Sequence, residues 1–165
     1  MGLLISKTDF TGKFALSQSI TDNITAFITE YEAAYLRDLL GASLYTLFAA
    51  DVNNSTPQST IYLSIYNAIA EDSGDVLVKS RGMKKMLLGF IWWEYVRQSK
   101  YKHTGTGIVV DSHEVSREGD NSEMFLYSMY NESIYDYKAI QWYICEHKSD
   151  YPTFNGQPKG LAWKL

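Results

Sequence analysis

Residues 86–96 read MLLGFIWWEYV, a run in which Glu94 alone carries a charge. A helix that is apolar on nearly every side must be surrounded by other elements, so this run predicts a central helix over about residues 80–101 with neighbours packed around it. It falls well short of the roughly 20 residues a membrane span needs. Gly89 costs a helix about 1 kcal/mol relative to alanine, which predicts close approach of a neighbouring helix at that point. Glu94 needs a partner inside such a surface, and Arg97, one turn on, is placed to supply it.

The neighbours can be read from their spacing. Thr21 or Asp22 can cap a first helix, along which Ile24, Phe27, Ile28, Tyr31, Tyr35 and Leu39 recur at helical intervals. Gly41 suits a left-handed cap, and a short helical piece over 43–50 turns Leu44, Leu47 and Phe48 inward. Residues 51–58 read as a loop, with Pro57 in the first turn of the next helix, where its missing N–H is harmless. Ile61, Ile65 and Ile69, with Tyr62 and Tyr66, form the stripe of that helix, and Ser73, Gly74 and Asp75 stop it. A last long helix over about 122–148 carries Leu126, Tyr130, Ile134, Tyr137, Gln141 and Ile144 on one face. Ahead of all this, Phe10, Phe14 and Leu16 look like pegs packing onto the body.

Two stretches do not fit a helix. Residues 103–121 combine a flexible Thr-Gly-Thr-Gly, the β-branched Ile108, Val109 and Val110, and a polar run; this predicts a long loop or short β-hairpin excursion of the kind that carries function. Residues 151–165 hold two prolines and two glycines and cannot form a continuous helix. Phe154, Leu161, Trp163 and Leu165 are spaced along them as anchors. The expected fold class is therefore all-α: a bundle of four to five helices, with residues 1–150 as the body and 151–165 as an extended docking tail.

Chemistry is sparse. The single Cys145 excludes an intrachain disulfide and a cysteine-rich zinc site. Cys145 and His147, two apart on a helix, diverge, and His103 and His113 lie in other contexts, so no metal site is expected. Gly105 and Gly107 lack the third glycine or lysine of a phosphate loop. Glu132 and Asp136 share a helix face, read as solvated, and Glu94 is the one acid whose neighbours suggest burial. A hydrolase built on Glu94 is the boldest enzymatic reading; a structural ion pair is the simpler one. Residues 1–6 fit a minimal myristoylation pattern without a supporting polybasic stretch, and the sequons at Asn23, Asn54 and Asn131 mean nothing without secretion. No signal peptide is expected, there being no charged n-region followed by a long apolar stretch. No catalytic residue or cofactor is expected.

What remains is binding. The net charge of −4 argues against a general grip on nucleic acid. The 13 Tyr, 4 Trp and 7 Phe exceed what so small a domain readily buries, and these residue types are enriched where proteins meet. Arg81, Lys84 and Lys85, with Lys79, open the central helix where cations oppose its dipole, which invites an acidic partner.

The segment ITAFITEYEAAYLRDLLGASLYTLF (24–48), then GMKKMLLGFIWWEYVRQSKYKHTGTGIVV (82–110), then the final helix, resemble the small head–tail connector proteins encoded beside the portal and capsid genes of Bacteroidetes phages, including crAss-like ones. The resemblance covers about residues 5–148. It implies a non-enzymatic helical bundle that forms a ring, commonly a dodecamer, bridging the portal to tail or further ring proteins at the virion's portal–tail junction. DNA would be passing cargo, no membrane would be involved, and the protein would be made in the host bacterial cytoplasm. Under it, Phe154, Leu161, Trp163 and Leu165, the strand-forming Ile108, Val109 and Val110, and the basic Arg81, Lys84 and Lys85 are the candidate interface. The alternative is a small helical DNA-binding or regulatory adaptor, with the basic cluster on phosphates.

Overall fold

The computed structural model describes residues 2–16, 24–72, 77–99, 101–104, 107–110 and 121–154, giving backbone alone for 99, 101–104, 107–110 and 121–123. Four helices dominate the described residues: α1 (Ile24–Asp51), α2 (Thr60–Tyr66), α3 (Met83–Ser99) and α4 (Asn121–Glu146). Between them lie three two-stranded antiparallel pairs: β1 (Val52–Asn53) with β2 (Thr56–Pro57), β3 (Ile69–Asp72) with β4 (Leu77–Ser80), and β5 (Tyr101–Thr104) with β6 (Gly107–Val110). The fold is mainly helical without being strictly all-α.

Helix α3 is the axis. Met83, Met86, Leu87, Phe90 and Ile91 are fully buried, and Trp92, Trp93 and Tyr95 nearly so. At Gly89 a side chain would collide with Ser133 of α4, and its Cβ would also press on the Met129 carbonyl at 3.4 Å. The glycine therefore lets α3 and α4 approach closely. The α4 face is the one the spacing predicts: Leu126, Tyr130, Ile134, Tyr137, Gln141 and Ile144 are all buried.

Helix α1 breaks at Gly41, which adopts φ 74° and ψ 160°, a conformation glycine reaches without a Cβ penalty. Its buried face centres on Ile28, Glu32, Leu36 and Leu39, one position round from the aromatic stripe expected. Tyr31 and Tyr35 instead flank that face, Tyr35 stacking on Phe90 with ring centroids 4.4 Å apart.

Two stretches differ from the sequence-based expectation. Pro57 lies in β2, paired with Val52, and α2 starts three residues later with Ser59 as its N-cap. The β1–β2 turn uses Asn54 and Ser55, both at positive φ, as a tight hairpin of mirror-image type requires. Asp51 then accepts the N–H groups of Gln58 and Ser59, each at 2.8 Å, and so secures the start of α2. Ile69 does not continue the α2 stripe. It opens β3, whose register with β4 runs from Ile69 opposite Ser80 to Asp72 opposite Leu77. A four-residue interval reads as helix in sequence and is satisfied here by a helix end plus a strand start.

The N-terminal segment (residues 2–16) is a strap of two short 3-10 turns laid over the body. Leu4, Ile5, Phe10 and Phe14 are buried, so the pegs do pack inward. At the other end, Tyr151 and Phe154 are buried too, and the Tyr151 hydroxyl donates to the Ile61 carbonyl at 2.7 Å. Phe154 therefore belongs to the core of the body and is not an exposed anchor. Leu161, Trp163 and Leu165 lie outside the described residues, as do Thr21 and Asp22.

Candidate interaction surfaces

The basic residues that open α3 find their acids within the chain. The Arg81 backbone N–H and Nε both donate to the Asp136 carboxylate at 2.8 Å, while Nη1 pairs with Glu132. Glu132 also takes Lys13 from the strap, and Lys84 Nζ lies 2.7 Å from Asp9 Oδ1. The expected demand for an acidic partner is correct, but the strap and α4 meet it. Asp136, read from sequence as solvated, is 1% exposed. It is buried because Arg81 spans 55 positions of sequence to reach it, a pairing no local pattern reveals. Lys85 is exposed, with its Nζ 6.0 Å from the centroid of the Phe14 ring.

Glu94 is likewise held by groups of its own chain. Arg97 Nη2 donates to it at 2.7 Å, as the one-turn spacing predicts, and the Tyr35 hydroxyl donates at 3.2 Å. Burial and the adjacent Glu94 charge push the Tyr35 phenol far above its usual range, so it stays a donor. Structural donors thus hold this carboxylate on both oxygens.

The buried acid that sequence reasoning missed is Glu32, 3% exposed. Its carboxylate accepts the N–H groups of Leu3, Leu4 and Ile5 at 2.6, 2.6 and 3.0 Å, clamping the strap to α1. Burial raises its pKa, and the three N–H groups only partly offset that. Gly2 is required beside it, since a side chain there would run into the Glu32 carboxylate. Nothing local marks Glu32, whose partners are backbone groups 27 to 29 residues away.

Cys145 and His147 form no site. His147 stacks on Tyr143 and its Nε2 lies 3.6 Å from Glu71, while no cluster of metal-ligating side chains exists among the described residues. Among the described residues no helix is long and apolar enough to cross a membrane.

Two other features bear on association. The β5–β6 arm leaves the C-terminal end of α3, paired from Tyr101 opposite Val110 to Thr104 opposite Gly107. Ile108, Val109 and Val110 lie in its second strand, and a two-stranded ribbon alone is marginally stable in water. Each strand keeps one edge without a strand partner among the described residues. The first turns of α4 expose Met124 (68%) and Phe125 (48%). Phe125 sits edge-on against Trp92, whose buried Nε1 has no hydrogen-bond partner among the described residues.

Residues 36–161 match a family of unknown function. The chain belongs to the DUF6712 family. The DUF6712 match takes in α2, α3, α4 and the arm, and it begins inside α1, so the strap and Glu32 lie before it. No curated protein and no solved structure matches the chain.

Proposed function

We propose that this DUF6712 chain is a structural subunit that joins copies of itself into a ring, bridges a bacteriophage portal to its tail and lines the DNA channel between them. The role is non-enzymatic, and its place is the portal–tail junction of the virion. The observation that carries the self-assembly part is the β5–β6 arm, a ribbon whose two outer edges meet no strand among the described residues; Met124 and Phe125, exposed at the start of α4, add apolar surface. Open strand edges and clustered exposed apolar side chains are the features by which chains add to one another. The portal and the tail enter through the resemblance of residues 24–48 and 82–110 to phage connectors.

The aromatic load contributes less than the composition suggests. Tyr95, Tyr130, Tyr137 and Tyr151 are buried, and Tyr31, Tyr35, Tyr45, Tyr62, Tyr66 and Tyr143 pack against the core, so most of it serves this chain's own interior. The adaptor reading, with the Lys79–Lys85 cluster on DNA phosphates, loses Arg81, whose guanidinium Asp136 and Glu132 already hold.

The test is the mass of the purified protein by light scattering and electron microscopy, alone and mixed with a bacteriophage portal protein. Rings, or portal-dependent assembly, are expected. A monomer at every concentration that leaves the portal unaltered overturns the reading.

A further inference from the structure

A cavity of about 430 Å³ lies between the strap and the N-terminal end of α3. Thr8, Asp9 and Thr11 of the strap form one side, and Lys84 and Lys85 line the other. Its corner is built tightly: Gly82 adopts φ 95°, and a Cβ there would lie 2.9 Å from the Tyr66 carbonyl. We propose that this cavity is a binding site for a phosphate-sized oxyanion, and that Asp9 is its built-in competitor.

Three observations carry the assignment. The chain already seats an anionic oxygen in the cavity wall, since Asp9 Oδ1 meets Lys84 while Oδ2 accepts the Ser6 N–H at 2.8 Å and the Ser6 hydroxyl at 3.0 Å. A second cation, Lys85, lines the same space and makes no salt bridge among the described residues. The space itself exceeds what one carboxylate fills, and Thr8 and Thr11 line it. The first-turn N–H groups of α3, which have no carbonyl a turn earlier, add to the positive potential. Arg81 is not part of this recognition, because Asp136 and Glu132 already hold its guanidinium.

The assignment does not depend on the ring. An incoming oxyanion would bridge Lys84 and Lys85 and draw Lys84 away from Asp9. Removing the Asp9 charge then strengthens binding, a response opposite to that of a residue whose part is only structural.

The experiment is calorimetric titration of the full chain with inorganic phosphate and, separately, with O-phosphoserine, at ionic strength held constant with chloride. Saturable binding at one site is expected. Lys85→Gln should weaken it about tenfold, the value of one charge-assisted contact. Asp9→Asn should tighten it about threefold, the range of a partly exposed ion pair. Lys85 is exposed, so its variant should fold, which circular dichroism checks. Phosphoserine binding as well as phosphate indicates a phosphoryl group on a larger molecule; phosphate alone indicates the free ion. Binding of neither above chloride, or equal affinity in Asp9→Asn, Lys85→Gln and the parent, overturns the proposal.

Discussion

At its N-terminal end α3 meets Asp9, Glu132 and Asp136, carboxylates of the same chain that engage Lys84 and Arg81. At its C-terminal end it runs into a two-stranded arm whose outer edges meet no strand among the described residues, and α4, whose Phe125 touches Trp92 of α3, exposes Met124 and Phe125 in its first turns. The first end spends its polar groups on holding the strap and α4 together, so changes there should register as lost stability. The second has exposed groups that its own fold leaves uncovered, and changes there should register as lost association. Charge alone does not distinguish the two. Arg81 and Lys84 look like interface residues in sequence and are paired with acids of the same chain in the fold.

The strongest way to break this contrast is at Arg81. Removing its side chain in Arg81→Ala leaves the buried Asp136 carboxylate without its guanidinium. Truncating one partner of a buried pair costs about 3 kcal/mol. Urea unfolding should show that loss, and Arg81→Lys should restore only part of it, because an ammonium cannot reproduce the fork that faces Asp136 and Glu132. Unchanged stability in Arg81→Ala would return this cluster to the list of surfaces available for partners.

Next in size is the clamp at Glu32. In Glu32→Gln one of the two acceptor oxygens becomes an NH₂ facing backbone donors, and about 2 kcal/mol should be lost for the buried N–H groups left unmatched. Limited proteolysis should then cut within the strap sooner than in the parent, with the body intact. Equal cleavage rates would mean that Phe10 and Phe14 alone hold the strap.

A smaller effect lies in the pH dependence. Because burial raises the folded-state pKa of Glu32 above its ordinary 4.5, the folded chain holds a proton that the unfolded chain has released. The stability from that protonated form is present below the unfolded value and lost as pH rises through the folded one. Asp9 has the opposite sign. Burial acts to raise its carboxyl, but Lys84 and the Ser6 donors outweigh it, so its stabilisation is present above 3.8 and is lost as pH falls through the lowered folded value. Stability measured upward from pH 4.5 should therefore decline less in Glu32→Gln than in the parent. Parallel pH profiles would remove Glu32 as the titrating group.

What was legible in the sequence follows the same division. The central helix, Gly89, the Glu94–Arg97 pair, the break at Gly41 and the buried face of α4 all rest on spacing within one element, and each lies where that spacing puts it. The β5–β6 hairpin was legible as an excursion because its composition departs from its flanks. The Glu32 clamp, the Arg81–Asp136 pair and the burial of Phe154 were not, because each depends on which distant segments meet. The β3–β4 hairpin was hidden for another reason: Ile65 and Ile69 keep helical spacing across a helix end.

The smallest stability effect, and the one that tests the open end of α3 most directly, comes from Met124→Ser combined with Phe125→Ser. Both side chains are largely in solvent, so their removal withdraws little from the core, and the melting temperature should move by no more than about 0.5 kcal/mol of stability would shift it. Phe125 does touch Trp92 edge-on, so any loss should appear first as altered tryptophan fluorescence. Association should respond far more. If a second copy covers this surface, two exposed apolar side chains at the start of α4 supply contact area, and the double variant should need about tenfold higher concentration to form the same assemblies by light scattering. A double variant that assembles like the parent would leave the arm's backbone edges as the contact. One that unfolds instead would show that both ends of α3 serve the interior, and the contrast between them would disappear.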